Sequence, residues 1–106
     1  MGRYAKTDLY TPEENEFWRR FCDCESRGFT TMRQLNYTFE VRGNEVIFDR
    51  KAKPITRSTI ICGYRKAKEL NDAGVPITTP KQLGVFGASY LLPILEYLGV
   101  CRRKHT

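Results

Sequence analysis

The chain has 106 residues, of which 41% are hydrophobic and 12% aromatic, values typical of one folded domain and not of a disordered tail. No apolar run approaches the roughly 20 residues needed to cross a bilayer, and the first residues show no apolar signal segment, so we expect a cytoplasmic protein. Residues 1–49 contain seven Lys or Arg and nine Asp or Glu, whereas residues 50–106 contain eleven and three. This asymmetry predicts one basic face suited to a polyanionic partner; the alternative is that the charge only aids solubility.

The four cysteines could form disulfides, bind zinc or remain reduced thiols. They are Cys22, Cys24, Cys62 and Cys101. No secretion signal supports disulfides. The spacing of Cys22 and Cys24 is tighter than that of usual structural zinc sites, and the single histidine, His105, lies in the tail. We therefore expect reduced, mostly buried thiols, with no metal and no cofactor.

The N-terminal part predicts an extended arm over residues 1–10 and then a helix. Residues 11–14 read Thr-Pro-Glu-Glu, which supplies a cap residue, a proline at the first helical position and the glutamate of a capping box. Gly28 is the expected end of this helix. The apolar residues of the helix repeat at helical spacing: Phe17, Trp18, Phe21 and Cys24.

Residues 29–36 are predicted as a short helix capped by Thr30, with a connector as the alternative. Residues 37–49 predict a β-hairpin, because apolar and polar residues alternate on both sides of Gly43-Asn44, a pair suited to a type II′ turn. The turn pairs Arg42 with Glu45 and places five apolar residues on one face: Tyr37, Phe39, Val41, Val46 and Phe48. That face could stack on single-stranded bases, but a chain this small needs its aromatic residues in the core.

The second half predicts three further helical segments. Pro54 ends the hairpin strand, and a helix capped by Thr56 or Ser58 runs to Leu70 or Asp72. A short helix follows from Thr79 to Leu83, and a last helix covers residues 89–98. The apolar stripes of the first and last of these helices contain Ile60, Tyr64 and Ala67, and then Leu91, Leu92, Leu95 and Leu98.

This order predicts a small α+β domain over residues 11–101, in which a β-hairpin packs on four to five helices. Its C-terminal half is expected to be winged-helix or helix-turn-helix-like, although a wing usually follows the helices and this hairpin precedes them. Residues 102–106 form a basic tail.

The basic second half predicts a non-catalytic, regulatory type of nucleic-acid-binding protein, with double-stranded DNA favoured over RNA. The last helix lacks side chains that read base edges, so we expect phosphate contacts made similarly on all sequences. Replacing Arg57, Arg65 and Lys66 together should weaken such binding. The expected contact residues are Arg50, Lys51, Lys53, Arg57, Ser58, Arg65, Lys66, Arg102, Arg103 and Lys104.

Two alternatives remain open. The outer face of the last helix, expected to carry Tyr90, Ile94 and Tyr97, would form a homodimer or bind a protein partner. The sequence Asp49-Arg50-Lys51, with Glu40 or Glu45 as a further acid, resembles only in outline the carboxylate-and-lysine arrangement of Mg²⁺-dependent nucleases. No histidine-based catalytic set and no glycine-rich phosphate loop accompanies it.

Overall fold

Residues 10–51 and 53–102, which the computed structural model describes, form a small α+β domain of three α-helices and two antiparallel sheets. The helices are α1 (Pro12–Cys22), α2 (Arg57–Asp72) and α3 (Ala88–Tyr97), with a 3-10 helix (Pro80–Leu83) between α2 and α3. The strands are β1 (Phe29–Thr30), β2 (Asn36–Tyr37), β3 (Phe39–Arg42), β4 (Glu45–Phe48) and β5 (Ile55–Thr56). The four to five helices that we predicted are therefore not found. No helix among these residues is long and apolar enough to cross a membrane.

Helix α1 begins as predicted and ends earlier. The Thr11 hydroxyl accepts a hydrogen bond from the Glu14 amide at 3.1 Å, and the Glu14 carboxylate accepts one from the Thr11 amide at 3.0 Å, which completes the capping box. The helix ends at Cys22, before the expected Gly28, because the chain turns at Ser26, whose φ is +70°. The Ser26 amide then donates to the Phe39 carbonyl, so tertiary pairing with β3 ends this segment.

The predicted short helix over residues 29–36 is wrong. These residues form the antiparallel pair of β1 and β2, with Phe29 opposite Tyr37. The connecting turn places Gln34 at φ +68°, and the Thr31 hydroxyl accepts a hydrogen bond from the Leu35 amide. The pairing buries Phe29 against the aromatic core. The stabilisation from this tertiary packing outweighs the weak local preference for a helix.

The hairpin of β3 and β4 has the predicted register: Phe39 opposite Phe48, Val41 opposite Val46 and Arg42 opposite Glu45. Gly43 at the turn has φ +63°, as the first central residue of a type II′ turn requires. Strand β5, which we did not predict, joins the other edge of β4 and pairs Ile55 with Val46.

The apolar face of the hairpin belongs to the core. Tyr37, Phe39 and Phe48 are all buried, so these rings are not a stacking platform for bases. Helix α1 covers both this face and α2, since Phe21 stacks on Phe39 with ring centroids 4.8 Å apart and Phe17 stacks on Tyr64 at 4.2 Å.

Helices α2 and α3 pack closely where Gly63 faces α3. A Cβ atom on Gly63 would lie 2.4 Å from Leu91 Cδ2, so any larger residue there would force the Leu91 side chain to shift. Helix α2 starts at the Thr56 cap, and Gly74, with φ +73°, follows its C-terminal end. The predicted core residues of both helices are buried, apart from the half-buried Leu98.

Candidate nucleic-acid interface

The structure separates the predicted basic residues into two groups, and the first group faces α1. The Arg57 guanidinium lies over the rings of Tyr10 and Trp18, with its Cζ 4.6 Å and 5.1 Å from their centroids. Its Nη2 donates to Asn15 Oδ1 at 2.8 Å. The nearby Ser58 Oγ is 3.1 Å from the Tyr10 hydroxyl. Arg57 therefore holds the start of α2 against α1.

Arg65 forms a two-pronged ion pair with the first turn of α1. Its Nε and Nη2 donate to the two carboxylate oxygens of Glu14 at 2.6 Å and 3.0 Å. The hydrogen bonds from Arg65, joined by that of the Thr11 amide, lower the pKa of Glu14 although its burial opposes this. The same carboxylate raises the pKa of Arg65. The Arg65 guanidinium therefore already has a charged partner within the protein.

Further along α2, Lys68 donates to the Glu13 carboxylate at 3.0 Å, and the Tyr64 hydroxyl donates to the same oxygen at 3.0 Å. Hydrogen bonds from Lys68 and Tyr64 lower the pKa of Glu13. Burial, followed by the bond to Glu13, raises the pKa of Tyr64 to about 12. Lys66, expected on the binding face, is 3.8 Å from Glu69 on its own helix. The acidic first turn of α1 thus forms ion pairs with two of the four cations of α2, Arg65 and Lys68.

The second group lies at the junction of β4 and β5, and we call Arg50, Lys51, Lys53 and Phe86 the linker patch. Lys51 Nζ lies 4.1 Å from the centroid of the Phe86 ring and 5.8 Å from that of Tyr90. The Arg50 Nε donates to the Asn36 carbonyl, a contact that positions the guanidinium and leaves its charge uncompensated. Within the described ranges no ion pair joins these three cations to a carboxylate.

Phe86 is the member of the patch that sequence reasoning missed. It lies in the turn between the 3-10 helix and α3, and its side chain is 55% exposed. The signal available in the sequence was Gly84-Val85-Phe86-Gly87, an apolar tip between two glycines. Its position next to the basic linker becomes visible only in the structure, where Lys51 and Ile55 lie beside this turn.

The predicted basic tail contributes little that the structure describes. Arg102 is exposed, whereas Arg103 and Lys104 lie outside the described residues, as do residues 1–9 of the predicted arm. Of the described cysteines, Cys24 and Cys101 are buried, Cys22 is half-buried and Cys62 is exposed. Burial raises the pKa of Cys22 and Cys24, which keeps them as thiols.

The predicted protein-binding face of α3 needs a correction. Ile94 is fully buried and is not available to a partner, because α3 inserts between α2 and the sheets and buries more than one stripe. Tyr90 is half-buried, and its carbonyl oxygen accepts a hydrogen bond from the Tyr37 hydroxyl. Tyr97 is 53% exposed and packs on Phe29 and under the Arg27 guanidinium.

The acidic residue of the nuclease hypothesis already has a structural partner. Asp49 accepts hydrogen bonds from the Thr38 amide at 3.1 Å and from its hydroxyl at 3.5 Å, and Glu40 pairs with Arg42. Among the residues that the structure describes, no three His, Cys, Asp or Glu side chains are grouped to hold a metal ion.

A polar cleft of about 300 Å³ lies on the other side of α1, between α1, the end of α2 and the segment after α3. Its lining includes Glu13, Arg20, Tyr64 and Lys68, and these polar groups bond to one another or to the backbone. These polar groups of the cleft therefore already have hydrogen-bond partners within the protein.

No protein-family model, no curated protein and no solved structure matches the chain.

Proposed function

We propose that the protein is a non-catalytic, cytoplasmic nucleic-acid-binding protein of regulatory type, with double-stranded DNA favoured over RNA. It contacts phosphates through the linker patch and not through α2. The observation that carries this proposal is the contrast in charge compensation. Arg65 and Lys68 are paired with carboxylates of α1, whereas Arg50, Lys51 and Lys53 have no carboxylate partner among the described residues.

The arrangement of the second half supports the proposal. Helix α2, the 3-10 helix and the close-packed α3 have the outline of a helix-turn-helix unit, and the sheet of β3, β4 and β5 would take the place of a wing. Helix α3 buries most of its apolar residues, so we assign the contacts to phosphates. Uncompensated lysine and arginine side chains release counterions from DNA when they bind, and this term does not depend on sequence.

The experiment is a titration of a labelled random duplex at about 50 and about 200 mM salt, with and without Mg²⁺. We expect binding that weakens steeply with salt. In the variant Arg50→Gln/Lys51→Gln/Lys53→Gln, the slope of log affinity against log salt should decrease by about 2 to 3, because each lost phosphate contact removes about 0.9. Glutamine keeps much of the side-chain length while it removes the charge.

The matched control removes three arginines from the first half, Arg19→Gln/Arg33→Gln/Arg42→Gln, and so lowers the net charge equally. It should retain most of the wild-type slope. An equal loss of slope in both variants would show that only the net charge matters and would contradict the assigned surface. Cleavage of the duplex only in the presence of Mg²⁺ would instead favour the nuclease hypothesis and Asp49.

The exposure of Tyr97 favours a second candidate function, a homodimer or a complex with a protein partner. An exposed aromatic ring of this kind is typical of interface residues. This candidate predicts an association that is sensitive to Tyr97→Ala and insensitive to salt, which sedimentation measures. The nucleic-acid proposal predicts the opposite salt response.

A further inference from the structure

Phe86 is the most exposed large apolar residue of the described chain, and it lies next to the basic side chain of Lys51. An exposed phenylalanine ring gives up part of the stabilisation that burial would provide. Single exposed apolar residues are common on proteins, so the exposure has meaning only together with what surrounds the ring. Here a lysine ammonium lies over it, and two more cations are close in the chain.

The turn that carries Phe86 packs on the core on both sides of that residue. Gly84 and Gly87 both have left-handed backbones, at φ +67° and +80°. A Cβ atom on Gly87 would lie 2.0 Å from Ile55 Cδ1, so the backbone there touches the buried end of β5. On the other side, Val85 approaches Gly63 of α2. These two contacts limit the positions that Phe86 can take and so lower the entropy cost of ordering it on binding.

We propose that Phe86 stacks on an unpaired base of the bound DNA while Lys51 and Lys53 contact the flanking phosphates. This inference rests on the proposed function and narrows its target. A partner that fits the patch must offer a flat apolar face together with closely spaced negative charge. Nucleic acid with an accessible base has both, and aromatic stacking tolerates any base because every base has a π-face.

Stacking by Phe86 would determine which form of DNA is bound most tightly. In an uninterrupted duplex each base face is covered by its neighbours, and opening a step costs a few kcal/mol. A duplex that contains a single-stranded gap already exposes base faces next to phosphates. We therefore expect the gapped duplex to bind more tightly than the continuous duplex of the same sequence.

The test compares the affinities of four proteins for a continuous duplex and for the same duplex with a short central gap, at one salt concentration. The proteins are the wild type, Phe86→Ala, Phe86→Tyr and Met32→Ala. Met32 is the control because it is an exposed apolar residue outside the patch, in the turn between β1 and β2. Thermal melting verifies that each variant is folded.

The wild type should prefer the gapped duplex, and Phe86→Ala should lower affinity for it by about 10-fold with little change on the continuous duplex. Phe86→Tyr should retain the preference, since tyrosine also stacks, and Met32→Ala should behave as the wild type. Equal wild-type binding of both duplexes, or a preference that survives in Phe86→Ala, would overturn the stacking inference and leave the phosphate contacts standing. Absence of wild-type binding to either duplex would overturn the proposed function as well.

Discussion

Two regions of this molecule carry similar numbers of basic residues and use them differently. On α2, Arg57, Arg65 and Lys68 face the acidic and polar first turns of α1 and hold two helices together. In the linker patch, Lys51 lies beside the exposed Phe86 ring, and Arg50, Lys51 and Lys53 have no carboxylate partner within the described residues. Positive charge in a stretch of sequence therefore does not identify a binding surface until the partner of each charged side chain is known.

The largest effect is expected at Gly87, where the linker patch is joined to the core. Gly87→Ala should destabilise the fold by about 3 kcal/mol, because the left-handed backbone disfavours a Cβ atom and that atom meets Ile55. Urea unfolding measures the change in the free energy of unfolding. Gly84→Ala separates the two causes, since Gly84 has a similar backbone and open space, and it should cost only about 1 kcal/mol. Equal costs at the two glycines would exclude the contact with Ile55.

The next effect tests the structural role of the α2 cations. Arg65→Ala should lower the free energy of unfolding by about 2 kcal/mol, because it leaves the buried Glu14 carboxylate without its charged partner. Lys66→Ala is the control on the same helix and should change the stability by less than about 0.5 kcal/mol. Similar stabilities of the two variants in urea would show that the ion pair of Arg65 with Glu14 does not stabilise the packing of α2 on α1. Arg65 would then again be a candidate for phosphate contact.

The same ion pair predicts an acid dependence. The pKa of Glu14 in the folded protein lies below its ordinary value of 4.5, so the folded state binds this proton less readily than the unfolded chain. The stability from Glu14 is complete above pH 4.5 and is lost as the pH falls through the lowered pKa. Between about pH 5 and about pH 3 the wild type should therefore lose more stability than Glu14→Gln.

Denaturant unfolding at several pH values measures this difference, with Glu45→Gln as the charge-matched control because it removes an exposed carboxylate from β4. Parallel curves for the wild type and Glu14→Gln would mean that the ion pair with Arg65 does not favour the ionised carboxylate.

The smallest effect on stability should come from the linker patch. Lys53→Ala should change the free energy of unfolding by less than about 0.5 kcal/mol while it reduces the salt slope of DNA binding by about 0.9. A marked loss of stability in Lys53→Ala would remove the contrast between the two regions, since it would assign a structural role to both.

Local patterns predicted much of the architecture. The capping box of Thr11 and Glu14, the register of the β3–β4 hairpin and the stripe of Ile60, Tyr64 and Ala67 are all confirmed. Each depends on residues a few positions apart, whose hydrogen bonds or shared face follow from helix or strand geometry.

The errors have a common physical cause. Residues 29–36 carry a helix-start signal but pair as strands, because burying Phe29 among the core aromatics outweighs a weak local propensity. Strand β5 has only two residues, too few for an alternating pattern, and Ile94 was assigned to the surface because α3 shows one stripe in sequence. In each case the deciding contact joins residues far apart in the chain.

Spacing, capping and composition are local properties, and from them the positions of the main helices and the hairpin and the basic character of the second half could be predicted. Which charges remain for a partner depends instead on how the helices and sheets pack together. The carboxylates of Glu13 and Glu14 are about fifty residues from the α2 cations that they neutralise, and Phe86 meets Lys51 only after β5 and α3 have packed. Charge compensation is a property of distances in space, and no pattern along the chain contains them.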